Sequence, residues 1–338
     1  MDNQELEKLC ERADELHEAG QLEAAFKLYK TAAEQGNARA QYRLGVDYDT
    51  GEGVAQNLEE AVRWYKKAAE QGDAAAQYNL ALCFAKGEGI AQNLQETVKW
   101  YKKAAQQGDT DAQLNLGNCY YHGTGVEQNY AEAVKWYKKV AQKGDADGQC
   151  NLGNCYYYGQ GVAQNLEEAV EWYKRAAEQG DADAQFNLGN CYDYGEGVEQ
   201  NFEEAVKWYI KSAKQGDAEA QYALALCYED GRGVQQNLEE AVKWYTKSAK
   251  QKFVDAQYNL ALCFYNGEGV EQNFEEAVKW YTKAAKQGDA EAQFNLALCF
   301  YNGEGVEQNL KEAVKWCKKA AEQGDESAIN MLRDLKVL

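Results

Sequence analysis

Eight tryptophans, Trp64, Trp100, Trp136, Trp172, Trp208, Trp244, Trp280 and Trp316, follow one another at an interval of 36 residues with no insertion or deletion. Each marks one copy of a longer phrase, best read at residues 272–308, which runs from Gln272-Asn273 through Glu-Ala-Val-Lys-Trp-Tyr and Gln-Gly-Asp to Gly-Glu-Gly-Val. A fixed period of this length means stacked supersecondary units that bury their apolar faces against neighbours. The chain therefore reads as an all-α solenoid of helix pairs.

Such an array has no single centre, so 338 residues need not be divided into two globular domains. No linker is evident and there is no proline. The formal net charge of -19 argues against nucleic acid and anionic membrane as partners, since both need basic surface. It favours ligands that are basic or neutral. The amino terminus, Met1-Asp2-Asn3-Gln4-Glu5, has neither a basic nor an apolar leader segment, and no later stretch is apolar enough to span a bilayer. The expectation is a cytoplasmic, unexported and monomeric protein.

Seven of ten cysteines hold one repeat position: Cys83, Cys119, Cys155, Cys191, Cys227, Cys263 and Cys299. Equivalent positions on neighbouring parallel helices lie about 8–10 Å apart, too far for a disulfide. Cys150 and Cys155 point to different faces of one helix, while Cys10 and Cys317 have no evident partner. No disulfide is expected, which suits a reducing compartment.

Three segments follow. Residues 1–37 form a capping hairpin: a helix Glu5–Glu18, the turn Ala19-Gly20-Gln21 and a helix Leu22–Gln35, without tryptophan or long loop. Residues 38–325 hold the eight repeats and 326–338 a final capping helix. In each repeat, Gly72 and its equivalents end one helix in the left-handed conformation, and the next residue, Asp73, caps the following helix. Asn57 with Glu60, Asn93 with Glu96 and their counterparts read as capping boxes. Pairs such as Glu59 with Arg63 and Glu203 with Lys207 have i,i+4 spacing. One corner departs: Lys252-Phe253 replaces Gly-Asp, which places Lys252 where a left-handed residue is needed.

These motifs, Ala-Gln-Tyr-x-Leu-Gly/Ala, Gly-x-Gly-Val, Glu-Ala-Val-x-Trp-Tyr-x-Lys-Ala-Ala and Gln-Gly-Asp, resemble the Sel1-like repeat family, a relative of tetratricopeptide repeats, over residues 38–325. The resemblance implies a right-handed superhelix of antiparallel helix pairs and an adaptor that holds other proteins. Exported members can carry two cysteines per repeat, whereas this chain has one; the proline often found after Gly-Val is absent.

Enzyme chemistry finds little support. The two histidines, His17 and His122, lie in different units and read as solvated or edge residues. The Gly-x-Gly loops follow helices, whereas phosphate cradles need a strand before the loop. No Cys-x-x-Cys or Cys/His cluster points to a metal, and no cofactor is expected.

In a tetratricopeptide-like superhelix the inner surface is built by first helices. Four rows then face the groove. The first is aromatic or apolar: Tyr42, Tyr78, Leu114, Cys150, Phe186, Tyr222, Tyr258 and Phe294. The second changes in blocks, Val46 and Leu82, then Asn118, Asn154 and Asn190, then Leu226, Leu262 and Leu298. The third is acidic: Asp111, Asp147, Asp183, Glu219, Asp255 and Glu291. The fourth mixes Asp49, Ala85, Tyr121, Tyr157, Asp193, Glu229, Tyr265 and Tyr301.

Alternating Leu and Asn at one position argues that the second row is partly exposed, since burying an unpartnered amide costs about 1–3 kcal/mol. Blocks can also arise when copied repeats drift together without a ligand. The reading is a scaffold that takes a protein or extended peptide in the concave face, the asparagines holding its backbone, the acids taking Lys or Arg and the aromatics taking apolar side chains. The alternatives are a structural spacer or assembly scaffold acting through its ends and convex face, and a designed or consensus-like array without a ligand.

Overall fold

A computed structural model describes residues 1–336, and among them nineteen α-helices and no strand. Two helices, α1 (Asn3–Glu18) and α2 (Leu22–Glu34), make the cap; eight helix pairs follow, beginning with α3 (Ala38–Thr50) and α4 (Leu58–Glu70); α19 (Glu326–Asp334) closes the array. Residues 337–338 of the expected carboxyl-terminal cap lie outside the described residues. The chain divides into two compact units, Met1–Asn165 and Leu166–Leu338.

The corners and loops form as the residue types require. Gly72 ends α4 with φ of 99°, and the Asp73 carboxylate accepts the Ala76 N–H at 2.8 Å. Lys252 takes φ of 71° in the deviant corner, at a cost of about 1 kcal/mol. Phe253 stands there in place of the capping Asp and makes no side-chain cap. Its ring packs 5.2 Å from that of Tyr222 instead. The second glycine of the long loop, Gly89, has φ of 69°, and a methyl group there would run into the Leu58 carbonyl. Each such loop thus lies directly on the start of the preceding second helix, so the Gly-x-Gly pattern is packing chemistry.

Two local expectations need correction. The Asn caps work in one direction: the Asn57 side chain accepts the Glu60 N–H at 3.1 Å, but the Asn57 N–H donates to the Tyr48 carbonyl at 2.8 Å. The glutamate thus released pairs one turn on, at i,i+3. Arg63 meets Glu60 rather than Glu59, at 3.2 Å, and Lys207 meets Glu204 rather than Glu203, at 2.5 Å. The full reciprocal box occurs at α1, between Asp2 and Glu5.

The repeated tryptophan has a partner on its own helix three residues on. Lys67 lies 3.8 Å above the Trp64 ring and Lys283 3.5 Å above Trp280, with Arg175 taking the same place over Trp172 at 4.5 Å. A cation over the indole face holds the lysine stem against the ring. The following tyrosine is deeper: Tyr65, Tyr137, Tyr209, Tyr245 and Tyr281 are almost wholly buried.

A buried amide in each repeat ties it to the repeat before and to its own far end. The Gln77 side chain donates to the Ala69 carbonyl at 3.1 Å and accepts from Gln107 at 2.9 Å. The same relation links Gln41 with Gln71 in the first unit, and Gln185 with Gln215, Gln221 with Gln251, Gln257 with Gln287 and Gln293 with Gln323 in the second. Where residue 143 is lysine, its ammonium donates to Gln113 instead. Each rung adds a side-chain donor to a helix-end carbonyl that also accepts the N–H of the corner residue, Gly72 in the case of Ala69.

Candidate protein-binding face

The four rows sit on the first helices of the repeats. In the first unit these are α3, α5 (Ala74–Lys86), α7 (Thr110–His122) and α9 (Ala146–Tyr158); in the second they are α11 (Ala182–Tyr194), α13 (Ala218–Asp230), α15 (Val254–Asn266) and α17 (Ala290–Asn302).

In the second unit Phe186, Tyr222, Tyr258 and Phe294 are half-buried, as are Leu226, Leu262 and Leu298. The acids Asp183, Glu219, Asp255 and Glu291 are exposed. The two rows meet. The Glu291 carboxylate and burial together push the Tyr258 hydroxyl up to about 12, burial being the larger cause; Asp255 acts in the same direction on Tyr222. Burial and the neighbouring Asp217 and Asp183 charges raise the Glu219 carboxyl. Tyr222 and Tyr258 are held from behind, their hydroxyls accepting from Asn259 at 3.3 Å and Asn295 at 3.2 Å. Phe294 and Leu298 also line a pocket of about 400 Å³ with Tyr301, Met331 and Leu335.

In the first unit Tyr42, Tyr78 and Leu114 are half-buried, Cys150 is buried, and Asp111 and Asp147 are exposed. Asp111 raises the Tyr78 hydroxyl, after burial, as Asp255 does for Tyr222.

The asparagine row has an internal role that the sequence reading did not foresee. Asn118 accepts the Tyr137 hydroxyl at 2.7 Å in the first unit, and Asn190 accepts that of Tyr209 at 2.7 Å in the second. Both asparagines are half-buried, as is Asn154. A buried tyrosine needs an acceptor for its hydroxyl. In two other repeats the fourth row supplies it: Asp49 for Tyr65 at 3.1 Å and Glu229 for Tyr245. The residue before each asparagine is Gly117, Gly153 or Gly189, and a methyl group at Gly117 would come within 2.6 Å of the Tyr137 ring. Glycine lets the ring approach so that its hydroxyl reaches the amide. Gly45, followed by Val46, seats Tyr65 as closely, so the glycine sets the place of the ring and either the asparagine or a fourth-row acid accepts its hydroxyl.

His122 is exposed. His17 is half-buried, with Nε2 2.9 Å from Glu52 Oε2. The sequence reading passed over Asp47, which stands 36 residues before Cys83 in the cysteine register and is buried. That break in an otherwise uniform column was its available signal.

Among the described residues no helix is long and apolar enough to cross a membrane.

Comparison with known families decides the identity of the array. The Sel1 repeat model matches nine consecutive segments, residues 18–37 and then each 36-residue stretch from 38–73 to 290–325. The chain is a Sel1 repeat protein. The first of these matches takes in the second helix of the cap, which lacks the tryptophan.

Among solved structures, this Sel1 repeat protein is similar to a protective antigen present in uropathogenic Escherichia coli strains that displays an SLR fold: 40% identity over 90% of this chain, TM-score 0.80. The chain spans 66% of the length of that structure. It is also similar to a Sel1 repeat protein from Oxalobacter formigenes, with 32% identity over 91% of this chain and 89% of the other, TM-score 0.73. No curated relative matches the sequence. Sel1 repeats form a helical repeat fold that typically serves as a protein-interaction scaffold.

Proposed function

We propose that the protein binds a protein segment in extended form on its first-helix face, and that the segment carries basic side chains interleaved with apolar ones. The observation that supports this is the pairing of rings and carboxylates, Tyr222 with Asp255 and Tyr258 with Glu291. A half-buried ring beside an exposed carboxylate suits a Lys or Arg side chain, whose stem lies on the ring while its head meets the acid. Successive repeats present this pair about 10 Å apart, close to three residues of extended chain at about 3.3 Å each. The half-buried leucines Leu226, Leu262 and Leu298 then take intervening apolar side chains. The asparagine row moves to a supporting place in this reading, because Asn118 and Asn190 already serve buried tyrosines. The protein acts as a monomeric adaptor in a reducing, cytoplasmic setting, a reading that its many buried cysteines support.

The test uses a fluorescent extended peptide of alternating Lys and Leu and a counterpart with Glu for Lys. The expected result is selective binding of the first, weakened by salt and by Tyr222→Ala with Tyr258→Ala, which leave the net charge unchanged. Reversing Asp255 and Glu291 to Lys abolishes it, while reversing the second-helix acids Glu239 and Glu275 changes it little. Equal binding after the tyrosine substitutions, or equal loss from either charge reversal, means a bulk charge effect and favours the spacer reading.

A further inference from the structure

Seven repeats place a buried thiol at one position of the first helix, and the first repeat places Asp47 there. Asp47 is 3% exposed, and its Oδ2 has no hydrogen-bond partner. A buried carboxylate oxygen without a partner is costly, and burial pushes this carboxyl up to about 7.

Two further groups converge on it. His17 comes from the last turn of α1, and Glu52 from the loop that follows α3. One ligand atom from each of His17, Asp47 and Glu52 lies within 4.8 Å of the others. The His17 and Glu52 side chains are 36% and 43% exposed, so the cluster opens to solvent above a closed floor. His17 is the first cation to act on Asp47, and Arg43, the next, is itself drawn to Asp14, at 3.7 Å.

We propose that His17, Asp47 and Glu52 bind one divalent transition-metal cation, of the zinc type, and so staple the capping hairpin to the first repeat. Two carboxylates and a neutral imidazole balance the charge of a divalent ion. An imidazole ligand favours zinc, cobalt or nickel over magnesium or calcium. Tetrahedral ligand atoms at about 2.0–2.1 Å from zinc are about 3.3 Å from one another. The 2.9 Å contact between His17 and Glu52 therefore opens slightly, and Asp47, within 4.8 Å of both, completes the set. Three protein ligands leave a fourth position to water on the exposed side. Bound metal stabilises only the folded chain, where the three groups are together.

Titration of the full-length protein with Co²⁺, followed by competition with Zn²⁺, tests the site. The expected result is one saturable equivalent whose visible d–d bands appear without thiolate charge transfer. Losing an outer-shell partner already weakens metal binding about 10–100-fold, so His17→Asn and Asp47→Asn should each weaken it by at least about tenfold. Zn²⁺ should raise the melting temperature of the parent and leave that of His17→Asn unchanged. Under chelator, Asp47→Asn should melt no lower than the parent, since it removes an unpartnered buried charge; this confirms that it folds. Binding unchanged in both variants, a thiolate spectrum, or no saturable equivalent overturns the proposal.

Discussion

The thiols show what one residue position does seven times over. Cys83, Cys119, Cys155, Cys191, Cys227, Cys263 and Cys299 are all buried. Burial raises Cys119 and Cys227 to about 11 and Cys83, Cys155, Cys191, Cys263 and Cys299 to about 12. A raised thiol pKa means that the folded protein keeps the proton which the unfolded chain releases above about 8.5. Stability is therefore fully present below that pH and declines above it, until the folded pKa near 11–12 is passed. Each such thiol removes up to about 1.4 kcal/mol per pH unit in that window. Melting temperature measured from neutral pH upward should fall steeply once unfolded thiols ionise, and Cys→Ala at three of these positions should flatten the fall. Alkylation at about pH 8 should be slow in the native protein and give ten adducts after denaturation. The cysteine register was legible in the sequence, but its replacement by Asp47 was not noticed, because a single substitution in a column looks like drift until a histidine and a glutamate are seen beside it.

At the scale of the helix pair, the Gly-Asn and Ala-Leu blocks are two ways of seating one tyrosine. Gly117→Ala puts a methyl group within 2.6 Å of the Tyr137 ring, an overpacking expected to cost about 1–3 kcal/mol. Asn118→Leu removes the acceptor of the Tyr137 hydroxyl, a loss expected to cost about 1–3 kcal/mol if no other acceptor replaces it. Made together, the two should cost less than their sum, because the ring can then take the seat used beside Ala81 or Ala261. A double-mutant cycle by urea denaturation measures that coupling, and strict additivity would mean that the blocks are unrelated to the tyrosine. Helix ends, corners and the left-handed Lys252 could all be read from local residue chemistry. The i,i+3 pairing could not, since Glu59 and Glu60 are equivalent in spacing rules and only the indole of Trp64, with Lys67 over it, favours one side. The glutamine ladder was equally hidden: a recurring Gln on a helix looks like surface until its rungs, 30 residues apart, are seen to meet.

On the scale of the whole molecule, the uniform period of 36 residues was enough to establish an all-α solenoid, because every repeat presents the same apolar faces. The partner was not legible, since exposed rows bear charge and shape without naming what they touch. Removal of residues 218–253, a full repeat that includes the strained Lys252, should leave a cooperative, helical and shorter protein. Circular dichroism and a denaturant titration check this, and loss of helicity would show that the repeats are not equivalent. The glutamine rungs carry this equivalence furthest. Each repeat offers its successor the same helix-end carbonyl and its predecessor the same glutamine N–H, so within a unit any joint can replace any other. Gene segments of this length can be gained or lost by unequal recombination without a new interface having to evolve, and the reach of the array becomes a heritable quantity that changes in whole steps.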